Sequence, residues 1–251
     1  MNLTHYAIHV ELQRASVPDF TAYPFSLAAV RNLERIELHP KVTFLVGENG
    51  SGKSTLLEAI AIRLGFNPEG GSKNFHFETR GSHSPLHQHL RIARGLRKPR
   101  DGYFLRAESF FNLATEIERL DGGPGGPPIL GSYGSVSLHE QSHGEAFMAL
   151  MLNRFGGQGL YLLDEPEAAL SPQRQLAAMV RIHDLVELGS QFIIATHSPI
   201  LMGYPNAYIY LCGPNGLERT RYEDTEHYQI TRQFLNNPKR MLSVLLAPDG
   251  D

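Results

Sequence analysis

The chain has 251 residues, of which 41% are hydrophobic and 20% charged, the balance of a globular domain with ample length for a core. One cysteine, Cys212, excludes an internal disulfide framework and fits a reducing compartment. The formal net charge of -3 gives no whole-chain attraction for polyanions, and no apolar run approaches the roughly 20 residues that span a bilayer.

Residues 1–16 alternate polar and apolar character and lack the apolar block of a signal peptide, so cytoplasmic placement is expected. Tyr6 to Leu12 reads as a strand, and Ser26 to Leu38 as a second strand-rich segment. Lys41 to Val46 is a short β-branched run ending in glycine, the pattern of a buried strand. Ser54 to Leu64 has helical apolar spacing, stopped by Gly65 and Pro68. From Gly71 to Arg106 eight Lys or Arg residues face two acids. This segment carries +6 and leaves -9 for the rest of the chain. It reads as loop-rich and rich in histidine, with a strand at Gly102 to Ala107 and a helix at Ser109 to Leu120. Asp121 to Pro128 is dominated by glycine and proline and reads as a loop or linker. Helices are expected at Glu145 to Phe155, Pro172 to Leu188 and Thr225 to Leu235. Buried strands are expected at Gly159 to Leu163 and Gln191 to Ala195, and a hairpin at Tyr208 to Cys212 and Leu217 to Tyr222. Short apolar strands alternating with helices argue for a mainly parallel sheet.

Four segments of this pattern carry chemistry. Gly47-Glu-Asn-Gly-Ser-Gly-Lys-Ser54 fits G-x-x-x-x-G-K-[ST] between a strand and a helix. Its glycines let backbone N–H groups curl round a phosphate, at the positive end of the helix dipole. Lys53 is expected to reach the β- and γ-phosphates, and the Ser54 hydroxyl to ligate Mg²⁺. Gln141-Ser-His-Gly-Glu-Ala146 precedes an apolar helix. Its Ser142 and Gly144 are either an ordinary helix cap or an anion-binding terminus. Gly159 to Glu165 is an apolar strand ending in two acids. Asp164 suits a Mg²⁺ contact, and Glu165 suits a general base for an attacking water. His197 ends the Gln191 to Ala195 strand. It is either a neutral imidazole bonded to a γ-phosphate or water, or a satisfied polar residue in a turn.

Together these segments resemble the ATP-binding-cassette ATPases. Walker A is Gly47–Thr55, the signature is Ser142–Glu145, Walker B is Leu160–Glu165 and the switch histidine is His197. Within that superfamily the chain looks like the small soluble bacterial ATPases related to SMC and recombination-repair heads. The resemblance implies an α/β fold, a P-loop NTPase of ABC-ATPase type. Its core sheet would be mainly parallel, with an N-terminal antiparallel β subdomain and a small helical subdomain. The whole chain, 1–251, would be one ATPase domain, with residues 66–145 an inserted basic loop and helical subdomain that ends at the signature. It implies ATP and Mg²⁺, held by Asn49, Gly50, Ser51, Gly52, Lys53, Ser54 and Thr55. It also implies a head-to-tail homodimer in which Ser142, Gly144 and Glu145 act on the partner's nucleotide. Glu108 stands where the family carries its metal-contacting glutamine. Glu167 to Ser171 matches the D-loop, and Arg31 with Asn32 lies where SMC-type heads contact adenine.

Three roles compete. The first is an ATPase serving nucleic acid in repair or defence. Here the +6 segment is either a phosphate-binding surface or a solvated loop balancing an acidic domain. The second is the ATPase subunit of a membrane transporter, which needs a separate membrane partner. The third is a regulatory switch whose ATP-bound dimer binds another protein. His83, His87 and His89 have spacing that can converge on zinc, but no cysteine accompanies them and their surroundings are positive.

Overall fold

The computed structural model describes residues 5–72, 84–106 and 142–247. Two sheets organise them. The larger has seven strands in the order β10-β9-β3-β8-β7-β6-β4. In chain order these are β3 (Val42–Val46), β4 (Gly71–Ser72), β6 (Asp101–Arg106), β7 (Gly159–Asp164), β8 (Gln191–Ala195), β9 (Tyr208–Gly213) and β10 (Gly216–Thr220). The five central strands run parallel, and β4 and β10 pair antiparallel at the edges. The smaller sheet is antiparallel, with β1 (Ala7–Leu12) between β2 (Arg35–Glu37) and β5 (Leu90–Arg94).

Strand alternation divides the core between the faces of the large sheet. Phe44, Val46, Tyr161, Leu163, Phe192 and Ile194 join one cluster. That cluster is covered by α3 (His143–Asn153), α4 (Pro172–Glu187) and α5 (Pro199–Met202). Leu45, Leu160, Leu162, Ile193 and Ala195 join the other, which contains the small sheet, α1 (Ala28–Arg31) and α2 (Lys53–Leu64). A parallel sheet covered on both faces explains why these strands read as continuous apolar runs.

Gln191 joins the two sheets. Its buried amide nitrogen donates to Ala7 O (2.8 Å) and His39 O (3.0 Å), and its Oε1 accepts from Tyr6 N and Ala7 N, both at 3.0 Å. Every donor and acceptor of that amide is satisfied.

Two segments differ from the expectations. Within Ser26 to Leu38 the only strand is β2, and Ala28 to Arg31 is a helical turn. Ala28 and Ala29 favour helix, and Val30 and Leu33, three apart, both bury inward. Residues 84–106 of the basic segment hold regular structure upstream of β6, where a loop is expected. A 3₁₀ turn at Pro85–His89 leads into β5, where Leu90 and Ile92 pair with Leu12 and Val10. The expected helices are found as α3, α4 and α6 (Glu226–Asn236). A further helix, α7 (Pro238–Leu245), follows α6, capped by the Asn237 side chain accepting from Arg240 N (3.3 Å). The Ser109 to Leu120 helix, the Asp121 to Pro128 loop and most of the 66–145 insertion lie outside the described residues. Among the described residues no helix is long and apolar enough to cross a membrane.

Candidate functional site

The phosphate loop leaves β3 at its C-terminal end and enters α2. Three of its glycines have positive φ: Gly47 (144°), Gly50 (77°) and Gly52 (97°), the last acting as the N-cap of α2. Such angles disfavour any side chain, and a Cβ on Gly47 would also lie 2.5 Å from Cys212 O. The backbone angles of the loop therefore favour glycine at these three positions, and the approach of Cys212 leaves no room for a side chain at Gly47.

Lys53 is 3% exposed and donates to Glu48 O of its own loop at 3.0 Å. Burial lowers its pKa, while the carboxylates of Glu165, Asp164 and Glu167 and the Cys212 thiol act in the opposite sense. The same burial pushes the Cys212 thiol up to about 12, against the nearby lysine charge. Ser51 Oγ is buried in the loop without a hydrogen-bond partner among the described residues. A lysine folded back on a carbonyl and an orphaned hydroxyl are the donors a bound phosphate would take up.

Ser54, on the first turn of α2, donates from Oγ to Asp164 Oδ1 at 2.8 Å. Asp164 ends β7 and is buried. A hydroxyl and a carboxylate converging at the phosphate loop suit the oxygen preference of Mg²⁺. Behind them Arg106, at the end of β6, pairs with Glu58 Oε2 at 2.7 Å and lies 3.9 Å from Asp164 Oδ2. Glu108, the third expected metal contact, lies outside the described residues.

Glu165 takes a left-handed backbone conformation (φ 50°, ψ 51°) as the chain leaves β7, anchored by its N–H on Ala195 O at 2.9 Å. This turn brings its Oε1 to 3.3 Å from Nε2 of His197. The His197 backbone N–H is held by Glu167 Oε1 (2.5 Å), and its Nδ1 lies 3.3 Å from Nε2 of His227. Burial, then the adjacent His197, lowers the pKa of His227. Neither Glu167 nor His227 was marked as a site residue by motif spacing. Glu167 sits in the D-loop match and could have been found there, whereas nothing in the Thr225 to Leu235 pattern points to His227.

The signature turn lies apart from this cluster. Ser142 caps α3, and Glu145 completes a capping box, its Oε2 accepting from Ser142 N (3.0 Å) and Ser142 Oγ (2.7 Å). Arg174 of α4 donates to Glu145 Oε1 (3.0 Å) and to Ser142 Oγ (3.2 Å). A Cβ on Gly144 would meet Arg174 Nη1 at 2.5 Å and Ala169 O at 2.7 Å. Among the described residues no hydrogen bond or ion pair joins this turn to the phosphate loop.

Beside the phosphate loop lies a cleft of about 460 Å³, lined by Ala28, Glu48, Asn49, Cys212, Pro214 and His227 among others. Arg31 is exposed at the end of α1 and is not part of that lining. Asn32 donates to Asn215 O at 3.0 Å. Tyr23, which the motifs did not single out, is 65% exposed with its hydroxyl 3.3 Å from Thr55 Oγ1. His87 and His89 bond Ser84 O and Ser16 Oγ, and His83 lies outside the described residues.

Two AAA domain family models match, one over residues 23–105 and the other over 131–203. The description of the second names the AbiEii toxin of type IV toxin–antitoxin systems. Between them they cover the phosphate loop, the signature, Walker B and the switch histidine. Both matches are to ATPase domains, and the chain resembles the ATP-binding-cassette ATPases. Among curated proteins it is 53% identical over 47 residues to the DNA replication and repair protein RecF of Colwellia psychrerythraea, 18% of this chain and 11% of that one. It is 29% identical over 178 residues to the cytochrome c biogenesis ATP-binding export protein CcmA of Rhizobium johnstonii, 62% of this chain and 75% of that one. A solved metal-chelate type ABC transporter in an inward-facing conformation superposes with a TM-score of 0.53 at 15% identity, covering 90% of this chain and 88% of that one. The fold is thus that of ABC-type ATPase domains, and a 47-residue stretch resembles RecF.

Proposed function

We propose that this ATPase domain binds ATP with Mg²⁺ and hydrolyses it as an ATP-sandwich homodimer serving a nucleic-acid-directed process in the cytoplasm. The observation that carries the chemistry is the convergence of Lys53, Ser54, Asp164, Glu165 and His197 at the ends of three neighbouring strands and one helix. Asn49 to Thr55 cradle the phosphates, and Lys53 leaves the Glu48 carbonyl to bind them. Ser54 and Asp164 would hold Mg²⁺, which would neutralise charge on the phosphate oxygens. Glu165 accepts the proton of the attacking water as its oxygen bonds to the γ-phosphorus and the bond to ADP breaks. His197 orients Glu165 and the water. Ser142, Gly144 and Glu145 of a second copy complete the site, which accords with their separation from the phosphate loop within one chain. Tyr23 offers its exposed ring to the base.

Exposed Arg91, Arg94, Arg97, Lys98 and Arg100 support the nucleic-acid role. Such a cluster on and after β5 can neutralise several backbone phosphates and make binding fall steeply with salt. Filter binding of DNA and RNA, with and without ATP and across a salt series, tests this. Salt-sensitive, ATP-dependent retention is expected. The second reading, a transporter ATPase, rests on the likeness to CcmA. It is favoured if nucleic acid is not retained and the Glu165→Gln protein co-purifies with a membrane permease.

A further inference from the structure

The switch histidine has a neighbour beside each ring nitrogen. Nε2 of His197 lies 3.3 Å from Glu165 Oε1, a charge contact without hydrogen-bond geometry, and Nδ1 lies 3.3 Å from Nε2 of His227, within hydrogen-bond distance. The rings are tilted by 54° with centroids 5.4 Å apart. An ionised carboxylate can only accept hydrogen bonds. The favourable neutral tautomer of His197 therefore carries its proton on Nε2, towards Glu165. Its Nδ1 is then an acceptor and requires a donor, and the group in place is Nε2 of His227. With its proton on Nε2, His227 leaves Nδ1 as a bare lone pair. That atom is buried and has no hydrogen-bond partner among the described residues. In the opposite arrangement the Nε2 lone pair of His197 would face the carboxylate, which is repulsive.

The donor is firmly placed. His227 lies in the first turn of α6, whose cap, Thr225, is fully buried and accepts from Tyr228 N (3.4 Å). Just upstream, Tyr222 donates its hydroxyl to Pro199 O at 2.7 Å, tying the start of α6 to the segment that follows His197. The His197 backbone is held independently by Glu167.

We propose that His227 is a positioning residue for ATP hydrolysis: its Nε2–H holds His197 in the Nε2-protonated tautomer and so fixes the orientation of Glu165. The proposal rests on the catalytic roles given above to Glu165 and His197, and it makes the C-terminal helix part of the site. His227 makes no hydrogen bond to Lys53, Ser54 or Asp164 among the described residues, although it lines the cleft beside the phosphate loop, so its contact with His197 predicts a larger effect on kcat than on KM.

The test uses the full chain with ¹⁵N-labelled histidine, comparing wild type, His227→Leu and His227→Gln. Glutamine places an amide N–H near the imidazole Nε2 position. Two-bond ¹H–¹⁵N spectra, with His197→Gln as the assignment control, read the tautomer without any turnover. The expected result is a single Nε2–H tautomer for His197 in wild type and in His227→Gln, and mixed tautomers in His227→Leu. In steady-state ATPase assays kcat falls about ten-fold in His227→Leu at unchanged KM, with recovery in His227→Gln. An unaltered His197 tautomer in His227→Leu overturns the proposal, as does equal loss of kcat in both variants. If the leucine variant does not fold, His227→Ala serves in its place. Absence of ATPase activity in the wild type would instead refute the catalytic reading, and the tautomer spectra would still decide the role of His227.

Discussion

Ser54 Oγ and Asp164 Oδ1, 110 residues apart in the chain, are joined by a hydrogen bond of 2.8 Å. In the sheet β3 and β7 are not neighbours, because β8 lies between them. Parallel strands bring all three C-terminal ends to one edge, and the first turn of α2 bridges β8 to meet the acid on β7. Ligand sites of open α/β sheets form at such edges.

Lys53→Ala removes the one buried cation of the phosphate loop. Three nearby carboxylates offset part of its burial, so the loss also removes a positive charge that faces Glu165, Asp164 and Glu167. Nucleotide affinity is expected to fall about 100-fold or more, near 2.7 kcal/mol. Titration calorimetry with ATP and Mg²⁺ measures it; affinity within three-fold of wild type refutes the assigned contact.

Glu165→Gln keeps the shape of the side chain and removes the base. Hydrolysis is expected to fall by about 10²-fold or more while ATP binding persists. An ATP-bound dimer should then accumulate. Sedimentation at micromolar protein with ATP decides the matter, and a persistent monomer rules out the sandwich.

Ser142→Arg places a bulky cation at the signature turn. It should abolish hydrolysis yet leave nucleotide binding by the monomer intact, because no bond within the chain links Ser142 to the phosphate loop among the described residues. Loss of the cap should also cost about 1 kcal/mol of stability. Parallel loss of binding and hydrolysis would show that the signature acts within its own chain.

Asp101 has a structural role with a defined pH signature. Its burial pushes the pKa up, but the N–H of Gly156 (3.0 Å), the hydroxyl of Tyr161 (2.8 Å) and Arg154 (2.9 Å) outweigh it and hold the carboxyl below the usual aspartate range. A lowered folded pKa contributes stability above the unfolded value, lost as pH falls through the folded one. Asp101→Asn should therefore destabilise by about 1–3 kcal/mol at neutral pH. Denaturant titrations should show the gap narrowing as pH drops below about 4, the unfolded aspartate value.

Gln191→Leu preserves apolar burial but strips partners from Tyr6 N, Ala7 N, Ala7 O and His39 O. Leaving buried backbone groups unpaired costs about 1–3 kcal/mol each in the worst case. A fall in stability of at least about 3 kcal/mol is expected by chemical denaturation, with faster amide exchange in β1. A neutral substitution would show that the two sheets are held together by apolar contact alone.

The sequence by itself determined the elements whose signal is local. Gly47, Gly50 and Gly52 are demanded by backbone angles, and Val42 to Val46 by burial on both faces. Asp164 and Glu165 stand out because two acids after a buried strand need a cation or a reaction to retain them. Hence the phosphate loop, the acid pair, the mainly parallel sheet and most helices were legible in chain order. Ser26 to Leu38 is helical over Ala28–Arg31 where strand is expected, because its apolar residues suit either period over so short a run.

Only the tertiary structure decided which groups meet. That Lys53 rests on Glu48 O, that Arg174 holds the signature turn, and that Gln191 joins two sheets depend on contacts between distant segments. His227 is the clearest case. Its place in α6 follows from helical spacing, yet its meeting with His197 depends on how Thr225 and Tyr222 dock that helix, 30 residues further along the chain. Periodicity reports which face of an element is buried; it carries no information about which partner the remaining polar group finds.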